Sequence, residues 1–269
     1  MINKKTKIVA TLGPSINDKK TLKKLLDNGV NVFRINFSHA IHNDVKKTIE
    51  IIRELNNQYN FNAAILADLQ GPKIRIGMVE KDFSIKKGQK IVFKTGNKFI
   101  SNNNEFYLSY NNFASDVKVG ENILIDDGKL IFKISKTNNK DHVEAIAEID
   151  GVIKSNKGVN LPNTKISLPA LTPKDEEDAI FAISQSVDWF ALSFVRHAKD
   201  LNKLNNLIKK HSSVKIPIIA KIEKPEAIKV IDEIIQNCDG LMVARGDLGI
   251  EVPSHEVPLI QKNLVLKAK

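Results

Sequence analysis

Cysteine is almost absent: the 269-residue chain has one, Cys238. That excludes an internal disulfide framework and fits a reducing compartment. Long apolar runs are missing as well. Nothing approaches the ~18 consecutive apolar residues of a spanning helix. Met1-Ile2-Asn3-Lys4-Lys5 leads into only a short apolar stretch, without the apolar core and small-residue cleavage site of a signal peptide. The expectation is a cytoplasmic protein with no membrane partner. Aromatics are few, at 6%. With so few stacking groups, the net charge of +10 reads poorly as a nucleic-acid platform. The lysines that carry it are scattered over helix faces, as at Lys19, Lys20, Lys23, Lys24, Lys209 and Lys210. Excess positive charge does favour a small anionic substrate.

What is present is enough apolar content, 42%, for one large domain or two smaller ones. The first part alternates strand and helix. Ile8-Val9-Ala10 is a short strand ended by Gly13-Pro14, and Asp18 to Asn28 is a helix with Gly29 as its cap. Val30 to Asn36 is a strand, Asn43 to Tyr59 a helix with Val45, Ile49, Ile52 and Leu55 on one face, and Ala63 to Ala67 a third strand. From Pro72 to Pro169 the texture becomes short strands between turns such as Lys87-Gly88, Asp126-Asp127-Gly128 and Asn138-Asn139, with no helical periodicity. The βα rhythm returns at Thr172-Pro173-Lys174-Asp175, a helix start. Strands follow at Trp189 to Phe194, Ile216 to Lys221 and Cys238 to Ala244. Helices follow at Ala198 to His211, Pro225 to Gln236 and Glu256 to Lys269.

The fold class implied is α/β: an incomplete TIM (β/α)8-type barrel with an all-β domain inserted after the third strand. The expected division is 1–71 and 170–269 for the barrel and 72–169 for the insert. Six βα strands fall short of the eight a closed barrel needs, so the barrel is expected to be cut before it closes.

Polar groups cluster just after the strands, where active sites lie in parallel barrels. Arg34, Asn36 and Ser38 alternate along the second strand and share a side. An arginine there suits a phosphate through its fork of donors, although a salt-bridged barrel end has the same look. His39 beside them equally describes a plain surface histidine. Asp68-Leu69-Gln70-Gly71-Pro72-Lys73-Ile74-Arg75 supplies a hard oxygen ligand and a second arginine. Lys157-Gly158 is a phosphate approach or a surface turn. Lys221 ends an apolar strand, so its ammonium needs an anion nearby, and Glu223 faces the same way two residues on. In Ala244-Arg245-Gly246-Asp247-Leu248-Gly249 the glycines expose backbone amides and Asp247 offers a carboxylate. Two carboxylates plus substrate oxygens suit Mg²⁺; a structural Lys-Glu-Asp network is the alternative.

Taken with Thr6-Lys7-Ile8-Val9-Ala10-Thr11-Leu12-Gly13-Pro14-Ser15 and Lys157-Gly158-Val159-Asn160-Leu161-Pro162, these segments resemble the pyruvate kinases along the whole chain. The resemblance implies phosphoryl transfer from phosphoenolpyruvate to ADP, giving pyruvate and ATP. It implies Lys221 and Arg34 as catalytic groups, and Arg34, Lys221, Ala244, Arg245, Gly246 and Asp247 on the substrate. Glu223 and Asp247 would hold Mg²⁺ or Mn²⁺. Asn36, His39, Arg75 and Lys157 would face the nucleotide. Asn36, Ser38, Asp68 and Leu69 match a K⁺ pocket. Potassium-dependent relatives tend to carry glutamate at the Lys73 position, so K⁺ is expected to be dispensable, with the Lys73 ammonium in its place. The inserted domain would act as a lid. The family's threonine-containing strand end and its C-terminal domain, which forms much of a homotetramer, are expected beyond Lys269. Competing expectations are a catalytically incomplete remnant or split-gene fragment, and a basic nucleic-acid-binding module.

Overall fold

The computed structural model describes residues 5–13, 16 and 18–269. The turn expected at Pro14, the motif residue Ser15 and Met1 to Lys4 lie outside these described residues. Six strands, Val9–Thr11, Val32–Asn36, Ala64–Asp68, Trp189–Leu192, Ile218–Ile222 and Gly240–Val243, form one sheet in chain order. Every adjacent pair is parallel. Among the described residues the first and sixth strands each pair on one side only, so this is a half-barrel with two free edges. Parallel strands buried on both faces read as near-continuous apolar runs, which is the character of Ala64–Asp68 and Trp189–Leu192.

Local signals set the helices that cover the sheet. Asp18 accepts a hydrogen bond from the Thr21 amide at 2.9 Å and starts Lys19–Asp27. Asn60, with φ of 56°, ends His42–Tyr59. Thr172 and Asp175 form a reciprocal capping box for Pro173–Ser184. Ala198–His211 has the bounds its periodicity gives. The expected helix from Pro225 to Gln236 is two, Pro225–Lys229 and Ile231–Gln236, because Val230 leaves helical geometry with ψ of 27°. The last helix is shorter than expected, Val257–Ala268, after a 3₁₀ turn Ser254–Glu256.

Between the third and fourth strands the chain builds a mostly antiparallel six-stranded sheet, in which Lys90–Lys94 and Glu105–Tyr107 are the one parallel pair, and a two-stranded ribbon, Phe83–Ile85 with Gly151–Ile153. It also holds one helical turn, Phe113–Asp116, too short to leave a period in the sequence. Its buried residues, centred on Phe93, Phe106, Phe113 and Phe132, form a cluster separate from the barrel's. Among the described residues no helix is long and apolar enough to cross a membrane.

Candidate active site

Because strands two to five are parallel and in register, their carboxyl ends meet. Asn36 is the register partner of Asp68, Asp68 of Ala191, and Leu192 of Ala220. Lys221 stands one residue further on, and its three ammonium protons meet three acceptors: Asp68 Oδ1 at 3.1 Å, Ser193 Oγ at 2.7 Å and Glu223 Oε1 at 3.1 Å. The other Asp68 oxygen accepts from Arg34 Nε, and Arg34 Nη1 donates to Thr11 Oγ1 at 2.8 Å. Ser193 Oγ in turn donates to the Leu69 carbonyl at 2.6 Å. The second Glu223 oxygen accepts from the Phe194 amide at 2.9 Å. Asp68 and Glu223 are each 1% exposed, and Lys221 8%.

Charge decides the state of this cluster. Burial pulls Lys221 down, but Glu223 and Asp68 together outweigh it, so the ammonium is held above its ordinary value and stays charged. Burial pushes Glu223 up; Lys221 and the Phe194 amide oppose that, and the neighbouring charge of Asp247 adds to it. The Asp247 carboxylate thus lies within electrostatic reach of Glu223. Two hard oxygen donors, one buried and one exposed in the first turn of the helix Arg245–Glu251, suit a divalent cation that takes few protein ligands. Among the described residues no group of three or more His, Cys, Asp or Glu forms a metal cage by itself.

The backbone around the cluster is constrained. Phe194 holds φ of 54°, an uncommon conformation for a bulky residue, pinned by its bond to Glu223. Gly71, with φ of 70°, passes so close that an added Cβ would lie 2.8 Å from the Phe194 ring and 3.0 Å from Ser193 Cβ. The Gly71 amide donates to Asp175, the same carboxylate that caps the helix after the insert.

The remaining expected residues are distributed around this centre. The segment Arg245 to Asp247 begins a helix, so these three amides have no intrahelical acceptor; Gly249 is inside that helix, and its amide is not among them. Asn36 accepts from the Ser38 amide at 3.1 Å, and Asn36 and His39 line a hollow of about 440 Å³ with Thr11. Lys73 is exposed and lines a narrower cleft of about 70 Å³ with Asn160, Arg196, Lys224 and Asp247. Arg75 and Lys157 stand on the insert: Arg75 donates to the Asn156 carbonyl at 3.1 Å, and Lys157 pairs with Asp126 at 2.9 Å.

Sequence reasoning missed Ser193 and Phe194. The signal was their place directly after the fourth strand, where a serine interrupts an apolar run. It also missed Lys224 and Glu251, a buried ion pair at 2.7 Å whose members are far apart in sequence.

A family model described as "Pyruvate kinase, barrel domain" matches residues 3–269. The chain is 40% identical over 264 residues to a pyruvate kinase of Clostridium perfringens, covering 98% of this chain and 56% of that one. It is 41% identical over 269 residues to a pyruvate kinase of Geobacillus stearothermophilus, covering 99% and 46%. With a pyruvate kinase of Thermotoga maritima the figures are 39% over 265 residues, 98% and 56%. The chain spans about half the length of the curated relatives it matches.

Proposed function

Since this chain belongs to the pyruvate kinase family, we propose that it contributes the reacting centre of an enzyme that moves the phosphoryl group of phosphoenolpyruvate to ADP, in a cytoplasmic setting. The observation that carries the reading is Lys221, charged and buried between Asp68 and Glu223 at the carboxyl rim, with Asp247 alongside.

Phosphoryl transfer needs positioning and charge neutralisation more than covalent help. The bond from phosphorus to the enol oxygen breaks, a bond to a terminal ADP oxygen forms, and the enolate then takes a proton to become pyruvate. Lys221 and Arg34 face the transferring group and offset its negative charge. The free amides of Arg245, Gly246 and Asp247 hold the substrate carboxylate. Glu223 and Asp247 would hold Mg²⁺ or Mn²⁺, which supplies further charge neutralisation when bound. Asn36, His39, Arg75 and Lys157 face the nucleotide, and the insert limits water access. Lys221 has all three donors engaged, so one contact must yield for it to meet substrate. Its bond to Glu223 is the natural one, since that carboxylate would also hold the cation.

K⁺ is dispensable in this reading. Arg34 and Lys221 engage both oxygens of Asp68, and Ser193 engages the Leu69 carbonyl, so two expected K⁺ ligands already serve protein cations and a hydroxyl. A steep K⁺ requirement in steady-state kinetics would refute this.

A lactate-dehydrogenase-coupled assay with phosphoenolpyruvate, ADP and Mg²⁺ tests the activity. Turnover that disappears in Lys221→Met supports it. A second reading, that this portion is catalytically incomplete by itself, is favoured by the relatives' greater length. It predicts Mn²⁺ binding, seen by electron paramagnetic resonance, without turnover. Absence of both sinks the assignment of Glu223 and Asp247.

A further inference from the structure

Glu251 closes the helix whose first turn carries Asp247. The two are four residues apart, so they share a face. The Glu251 carboxylate is 2% exposed. Its Oε1 accepts from Lys224 Nζ at 2.7 Å, and from Asn160 Nδ2 at 2.8 Å. Each donor belongs to a different element. Lys224 directly follows Glu223 in the turn after the fifth strand, and Asn160 ends the last strand of the insert. Asn160, Lys224 and Asp247 line the same 70 Å³ cleft.

We infer that Glu251 is a positioning residue whose single oxygen clasps the insert, the Glu223 turn and the Asp247 helix together, so that seating of the insert and spacing of the two carboxylates are set by one contact. This inference rests on geometry and not on the proposed activity. A purely stabilising role fits badly. A buried ion pair gains little over apolar packing, and here the second Glu251 oxygen is buried with no hydrogen-bond partner among the described residues. What such a pair supplies is a fixed register between elements. Both donors meet on Oε1, so any displacement of that oxygen, and of the helix that carries it, weakens both bonds at once. A second tie, from Arg196 to the Ile166 and Leu168 carbonyls, at 2.6 and 2.7 Å, holds the returning connector. It would keep the insert in place by itself if the clasp were idle.

The test is a distance distribution by pulsed electron paramagnetic resonance, without substrate or metal, so its result is independent of turnover. Spin labels go on Lys140→Cys in the insert and Lys209→Cys in the barrel, both exposed, in a Cys238→Ser background. The parent protein should give a narrow distribution. Asn160→Ala, and Asn160→Asp, which sets a carboxylate against Glu251, should about double its width, as loosely coupled domains do. Adding Glu251→Gln to Asn160→Asp restores a donor and should narrow it again. Trp189 fluorescence should stay unchanged throughout. Equal widths in every protein overturn the inference, as does a broadening that Glu251→Gln fails to reverse.

Discussion

Lys221 shows how one side chain organises a site. It is buried, so its charge is tolerated only because Asp68 and Glu223 face it, and both carboxylates are tolerated only because it is there. Lys221→Met should leave uncompensated carboxylates and cost about 3–5 kcal/mol in urea unfolding. In a protein that turns over, it should lower kcat by about 10²–10³ or more. Ser193→Ala should cost about 1–3 kcal/mol, since it strips the Leu69 carbonyl of a donor and Lys221 of an acceptor at once. Lys221, Glu223 and Asp68 were legible in the sequence because an ionisable residue at the end of an apolar run is conspicuous. Ser193 was not, because a serine after a strand has many uses and only its neighbours give it this one.

At the scale of elements, the turn after the third strand and the turn after the fourth are built against each other. Gly71→Ala introduces a Cβ at positive φ against Phe194 and Ser193, and should destabilise by about 1–3 kcal/mol, read as a shifted denaturation midpoint. Phe194 itself holds a positive φ and donates its amide to Glu223. Strand and helix existence was readable from period and caps. The break at Val230 and the helix Arg245–Glu251 were not, since glycines at 246 and 249 read as loop until packing against the last helix makes a helix of them.

For the whole molecule, two separate cores imply two folding units. The one tryptophan, Trp189, reports on the barrel alone. Its fluorescence transition should therefore not coincide with the far-ultraviolet transition of the full chain. A single coincident transition would mean that the clasp and connectors couple the units fully. The insert also has its own pH limit. Burial, aided by a hydrogen bond to Asp116, pushes the Tyr110 phenol up to about 12 from its ordinary 10. The folded insert therefore keeps that proton longer than the unfolded chain. The stability this contributes is fully present below pH 10 and is lost as pH rises toward about 12. Urea unfolding of the insert followed by circular dichroism should show a midpoint that falls as pH rises through that window.

By itself the sequence determined the alternation of strands and helices, the place of the β-rich insert and the polar residues at strand ends, because periodicity, caps and turn residues act over a few positions. Only the tertiary structure decided that Asp68, Ser193, Lys221 and Glu223 share one hydrogen-bonded cluster and that Asn160, Lys224 and Glu251 meet on one oxygen. Those contacts join residues up to 153 positions apart. Their partners are chosen by sheet register and domain seating, which no local pattern encodes.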